Sequence, residues 1–334
     1  EPRTGPDQPR QRLVAGRLAG PQVETGLLVF DLFEAEFLEP VAEFLLAPLT
    51  VTIVDGVQAP TDTTDPVQLT TSTVIGDAWL ETLTGITNLT IESGGEISFD
   101  INPADGNLNM TGSSVKNLTL RAGATEAGGI FLGDDGTSIL GLNSLTLQTV
   151  HVNGGDIDFG NSNLQFAGSL NVNSSGGVNG GSSTINLNGN LGATPLTIRA
   201  AETVDLGSAN VTILNSFNLD EALLIESTGG DIDFGSADIS YDAINTFDTV
   251  NVTFKANNNI LSNNDANPAT FQNTLTLDGI VLFEATTGSL SLSDANLTVS
   301  DEATTGSSLT MTSVGNLDLN QSRLTVNGPT TLTS

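Results

Sequence analysis

Leu, Ile, Val and Phe recur two residues apart along most of this chain, with Thr, Ser, Asn, Asp or Glu between them. The runs Leu196-Thr-Ile198, Val204-Asp-Leu206 and Val211-Thr-Ile213 display the unit most clearly. Residues two apart face the same side of a strand, so each run predicts a short strand with one apolar face. Gly207, Ser208, Ala209 and Asn210 separate the second run from the third. Small residues and those that tolerate the left-handed region let a chain turn sharply. The unit therefore reads strand, corner, strand, corner, strand.

The unit repeats. The apolar residue that opens the second run falls at Ile97, Ile130, Ile157, Val178, Val204, Ile232, Ile260, Leu290 and Leu317. First runs open eight residues earlier at Leu89, Leu170, Leu196, Val252 and Leu309, nine earlier at Leu223 and Val281, and seven earlier at Val150. Only Leu118 to Ile130 calls for a four-residue insertion. Third runs follow in register in most copies, and loops are expected before Met110, Leu142 and Phe271. Gly180 and Ser262 stand where a second-run apolar residue is due. Three strands per turn, at a period of about 27 residues, bury a core only by stacking turn on turn. The prediction is an all-β fold, a right-handed parallel β-helix of about nine coils. An antiparallel sandwich would need hairpin turns and would not keep one phase in every copy.

The pattern divides the chain into three parts. Residues 1–28 predict a disordered basic, Pro-rich tail holding Arg3, Arg10, Arg12 and Arg17. Residues 29–88 predict a short amphipathic helical cap and a transition into the β-helix. The cap rests on Phe30, Phe33, Phe37, Leu38, Val41, Phe44 and Leu45, with a kink at Pro40. Five acids and no base on that segment fit an interfacial membrane helix poorly. Trp79, beside Leu80 and Leu83, reads as packing. Residues 89–334 are the repeats, expected to continue beyond this stretch, with end-to-end stacking as the alternative use of an open strand edge. Met110, Tyr241 and Met311 take inward positions.

The repeats LTIESGGEISF at 89–99, VHVNGGDIDFGNSNLQF at 150–166, LTIRAAETVDLGSANVTI at 196–213 and SLSLSDANLTV at 289–299 resemble those of filamentous haemagglutinin-like exoproteins. These are the β-helical adhesins of two-partner secretion. The resemblance covers about residues 89–334, and it implies a bacterial protein that is secreted or held on the outer cell surface. It further implies a partner that is a glycan or protein of a host, a neighbouring cell or the matrix.

Charge narrows the choices. The formal net charge is −30, and beyond residue 17 the sequence holds 37 acids against five bases. Nucleic acid and anionic membrane surfaces are therefore disfavoured as partners. No apolar run reaches the length of a membrane-spanning helix, so no membrane insertion is expected. The sequence has no cysteine, which removes disulfides and thiolate metal sites and suits export.

Outward positions carry the candidate chemistry. Three residues past each first-run start stand Glu92, Arg121, Asn153, Asn173, Arg199, Glu226, Lys255, Glu284 and Thr312, which predicts a column partly alternating in sign. The outward residue of the second run is Asp158, Asn179, Asp205, Asp233 and, further on, Asp318. Asp205 and Asp233 on neighbouring strands would stand near the separation of a retaining glycosidase pair. They are thus the catalytic candidates if the chain is a polysaccharide lyase or hydrolase. Asp158, Asp205 and Asp233 are the candidate ligands if the column takes Ca²⁺ and the chain is a Ca²⁺-stabilised module. A ladder of acids also arises from repetition alone, so the primary expectation is no catalytic residue, no cofactor and a non-enzymatic rod. His151, the sole histidine, has no second nitrogen or sulfur ligand suggested by the pattern.

Overall fold

The computed structural model describes residues 50–56, 73–101, 107–133, 136–188, 195–215, 221–243, 250–262, 271–300 and 306–334. All of them belong to one compact unit, Phe44–Ser334. The tail and the helical cap expected before residue 47 lie outside the described residues. Among those described, the single helix is Asp77–Glu81. Trp79 and Leu83 pack against the core beside buried Leu80.

The described strands form an all-β solenoid of about seven turns built from parallel sheets. The expected count of nine coils is not established as such, although every anchor of the pattern finds its place. Ile97 pairs with Ile130, then Ile157, Val178, Val204, Ile232, Ile260, Leu290 and Leu317, strand upon parallel strand. A second ladder runs from Leu89 through Leu118, Leu145, Leu170, Leu196, Leu223, Val252 and Val281 to Leu309. A third runs from Leu108 through Ile139, Leu164, Ile185, Val211, Ile239, Leu275 and Leu297 to Leu324. Alternation dictates this result. With one residue in two apolar, each strand buries one face, and only a neighbour of identical phase directly beside it keeps that face dry. Met110, Tyr241 and Met311 are buried, as their inward positions require.

Three local readings change. Val150 does not open a first strand. The strand Ser138–Thr149 runs unbroken through the third run of one coil and the first run of the next, so Leu145 and Leu147 hold those inward positions. Val152 is instead 92% exposed in the following loop. The four-residue insertion at Leu118 to Ile130 is thereby matched by one between Leu145 and Ile157. Phe271 is 44% exposed, and Leu275 and Leu277 are the buried pair of its coil. Sheet structure also starts earlier than expected: Thr50–Val54 pairs with both Thr73–Gly76 and Glu96–Asp100.

The two departures in the second run have opposite physics. At Gly180 a Cβ would lie 2.6 Å from the carbonyl oxygen of Leu206, so the coils meet there backbone to backbone. Ser262 is buried and donates from Oγ to the carbonyl of Ser293 at 2.5 Å. The volume that Ser262 leaves falls in the coil of Phe254, whose ring stacks on Phe283 with centroids 4.7 Å apart and meets Phe234 edge-on at 5.2 Å. A small residue on one wall and large ones on the next keep the interior at close packing.

Candidate functional site

The second-strand column brings the sequence candidates together. Asp158, Asn179, Asp205 and Asp233 are register partners on consecutive coils. Each is bonded to its own backbone. Oδ1 accepts the N–H two residues on: Gly160 to Asp158 at 2.8 Å, Gly181 to Asn179 at 3.0 Å, Gly207 to Asp205 at 2.8 Å and Gly235 to Asp233 at 2.9 Å. Asp318 accepts the N–H of Asn320 in the same way at 2.9 Å. These are Asx turns, in which a side-chain oxygen ends a strand by capturing a backbone donor. The chain then folds back at once, as where Ala209 N–H donates to the Leu206 carbonyl at 3.0 Å.

The glycines of these corners are fixed twice. Gly160, Gly181, Gly207 and Gly235 have φ between 53° and 58°. A Cβ on Gly207 would also lie 2.4 Å from the Gly181 carbonyl oxygen, and one on Gly235 would lie 2.2 Å from that of Gly207. Those carbonyls come close because the next residue up binds them: Ser208 N–H donates to Gly181 at 2.7 Å and Ser236 N–H to Gly207 at 2.6 Å.

Asp205 and Asp233 therefore lie on adjacent strands, about 4.8 Å apart in backbone spacing. A retaining pair also needs its carboxylates in unlike surroundings, one held protonated and one ionised. Here the two occupy equivalent places and make the same hydrogen bond, and an amide does the same work at Asn179. Among the described residues no three His, Cys, Asp or Glu side chains gather as a metal-ion cluster. His151 sits in the loop after Thr149, with Nδ1 accepting the Asn153 N–H at 3.2 Å.

The charged column on the first-strand sheet forms as expected, with one substitution. Gln148, and not Asn153, stands between Arg121 and Asn173, because the strand ends at Thr149. Arg121 pairs with Glu92 at 2.8 Å, Arg199 with Glu226 at 3.2 Å and Lys255 with Glu284 at 3.0 Å. The hydrogen bond and charge of Glu284 hold the Lys255 ammonium above its ordinary value, with Glu226 adding to the effect. Such exposed pairs contribute roughly 0.2–1 kcal/mol each and favour one register over its neighbours. Three of the five bases beyond residue 17 are engaged this way.

One like-charge contact works against the fold. Asp242 lies one residue beyond the Tyr241–Leu277 pair, beside Asp278 on the next coil. Burial, and then the charge of Asp278, raise the Asp242 carboxyl above its ordinary value. The folded state thus binds this proton more tightly than the unfolded chain does, so stability falls as pH rises from the unfolded value through the folded one. Asp242→Asn is expected to raise the urea midpoint at pH 7. The gain should vanish below about pH 3.5, where the carboxyl is protonated in both states.

A surface feature that the pattern missed lies at the two long corners. These corners stand beside compact ones, and the step leaves a depression of about 430 Å³ lined by Glu96, Gly129, Phe131, Gly155, Asp156 and Glu202, among others. Its floor is nearly bare backbone. A Cβ on Gly129 would meet the Asp156 carbonyl at 2.5 Å, and one on Gly155 would meet that of Gly128 at 2.4 Å. The doublets Gly128-Gly129, Gly154-Gly155 and Gly176-Gly177, each just before an anchor, are the sequence signal that marks it.

Comparison with protein-family models, curated proteins and solved structures finds no match to this chain. No helix among the described residues is long and apolar enough to cross a membrane.

Proposed function

We propose that this chain is a non-enzymatic extracellular β-helical rod, the stalk or binding shaft of a bacterial adhesin-like surface or secreted protein. One observation carries the reading: the carboxylates best placed for chemistry, Asp205 and Asp233, make the same corner hydrogen bond that Asn179 makes without a charge. The ion pairs of the first-strand column add register, not chemistry. The glycine-floored depression, with half-exposed Phe131 and the acids Glu96, Asp156 and Glu202, is where a shaft of this kind would meet a glycan or protein. The net charge of −30 argues against nucleic acid as that partner. The resemblance of the repeats to filamentous haemagglutinin-like exoproteins supports the same reading.

Incubation with acidic polysaccharides, followed by unsaturated-product absorbance and by reducing ends, is expected to give no turnover. Turnover abolished by Asp205→Asn or Asp233→Asn would replace this reading with that of a polysaccharide lyase or hydrolase.

A further inference from the structure

The depression at the two long corners seats an aromatic ring and a carboxylate side by side. Phe131 leans back along its own strand, so that a Cβ on Gly129 would stand 2.9 Å from its Cζ and 3.0 Å from its Cε2. The ring therefore lies over bare backbone, and Phe131 is 37% exposed. On the neighbouring strand, the Asp156 carbonyl accepts the Ile130 N–H at 2.9 Å, which sets Asp156 beside Gly129. Its carboxylate is fixed in turn. Oδ1 accepts the Gly177 N–H at 2.8 Å, and a Cβ on Gly176 would lie 2.4 Å from that oxygen. Asp156 is exposed, so Oδ2 remains open to another donor. Two of the glycine doublets thus make room for side chains: one for the ring, the other for the carboxylate.

Glu96 and Glu202 extend the lining along the rod. Glu96 directly precedes the anchor Ile97, and Glu202 N–H donates to the Gly176 carbonyl at 3.0 Å. Between them run five successive second strands, from Glu96–Asp100 to Val204–Asp205, which is about 19 Å at the usual strand spacing. The lining holds three carboxylates and no base. The ion pairs of the described residues all stand on the first-strand column instead. Among the described residues no three acids lie close enough to share a metal ion. Carboxylates spread along a groove around an exposed aromatic ring suit a long organic cation.

We propose that this depression binds an amino-sugar polymer, a run of hexosamine units lying along the rod. The inference rests on the reading of this surface as the place where the shaft meets its partner. A sugar ring sets C–H groups against an aromatic face, and an ammonium held over that face is attracted by the ring quadrupole. The open carboxylate oxygens accept ammonium and hydroxyl hydrogens in charge-assisted bonds. Bare glycine backbone lets the ligand come close. A neutral glycan would leave the three carboxylates without a counter-charge, and an acidic one would be repelled by them. A broad ring beside bare backbone favours a flat, hydroxylated ligand over the narrow stem of a basic side chain.

Calorimetric titration of a glucosamine oligomer into the whole chain tests this, in about 0.15 M KCl to screen diffuse attraction and at a mildly acidic pH that keeps the amines charged. The expected result is saturable binding, weakened at least about threefold by Phe131→Ala and about tenfold by Asp156→Asn. An asparagine there can still accept the Gly177 N–H, so that variant loses charge alone, and unchanged urea midpoints check that both variants fold. Asp318→Asn removes one charge at the far end of the second-strand ladder and should bind as the parent does. The N-acetylated oligomer, which lacks the ammonium groups, should bind at least about tenfold more weakly. No saturable binding, equal binding of the N-acetylated oligomer, or equal loss on Asp318→Asn would each overturn the proposal. So would a lysine-rich peptide that bound more tightly and lost its binding in the same two variants, since a basic protein segment would then be the partner. Failure of the oligomer to bind leaves the non-enzymatic reading standing, whereas reducing ends released from it would overturn that reading.

Discussion

Gly207→Val is expected to lower stability by more than about 3 kcal/mol, read as a large fall in the urea midpoint. Two costs combine. A β-branched residue at φ 58° is strained by itself. The added Cβ would also stand 2.4 Å from the Gly181 carbonyl oxygen, which cannot withdraw without loosening its bond to Ser208 N–H. Gly85→Val separates the terms. Gly85 has φ 82° but nothing within 4 Å of its added Cβ, so the conformational cost of about 1–2 kcal/mol applies without the backbone contact. Equal losses for the two variants would mean that the corner glycines answer to φ alone and that the coils are not in backbone contact there.

Phe283→Ala is expected to cost about 3–5 kcal/mol. Phe283 is fully buried and lies flat against Phe254, with an interplanar angle of 9°. Its removal leaves a cavity where rigid coils cannot collapse, and it also removes the aromatic pair, a further 0.5–1.5 kcal/mol by roughly the usual measure. Phe283→Leu should recover most of the loss. Because each coil touches only its neighbours, hydrogen exchange should quicken most at Phe254 and Met311, the register partners of Phe283. Uniform quickening from Ile97 onward would contradict a stack of nearest-neighbour coils.

The ladders were legible in the sequence because a half-buried strand writes its phase into every second residue. The outward partners of that phase, Arg199 with Glu226 and Lys255 with Glu284, were legible for the same reason. The phase failed at Ser138–Thr149, where one continuous strand carries two runs and spacing did not say where one coil gave way to the next, whereas Asn163–Ser174, equally continuous, kept Leu164 and Leu170 at their expected positions. Val150-His-Val152 then mimicked a strand that the fold places in a loop. At Ser138–Thr149, Gly141 adds a residue with φ 81° between Leu140 and Leu142, a bulge that shifts the register by one.

The second-strand column was legible as residues and obscure as a role. Alternation says only that Asp205 and Asp233 face outward together, which suits a ladder, a metal or a catalytic pair. The deciding signal is the glycine two residues on, in Asp158-Phe-Gly160, Asn179-Gly-Gly181, Asp205-Leu-Gly207 and Asp233-Phe-Gly235. An acid or amide followed at that distance by a residue free to enter positive φ is the composition of an Asx turn. The stepped depression was obscure because it depends on corner lengths in several coils at once.

The urea stability of Asp205→Asn against Asp205→Ala tests most directly whether this column holds corners or does chemistry. If the side chain serves to accept the Gly207 N–H, the asparagine variant should match the parent within about 0.5 kcal/mol, as Asn179 does in its own coil. The alanine variant should lose about 1 kcal/mol. An asparagine variant as unstable as the alanine one would contradict the account, since it would show that the negative charge, and not the hydrogen bond, is what the column requires.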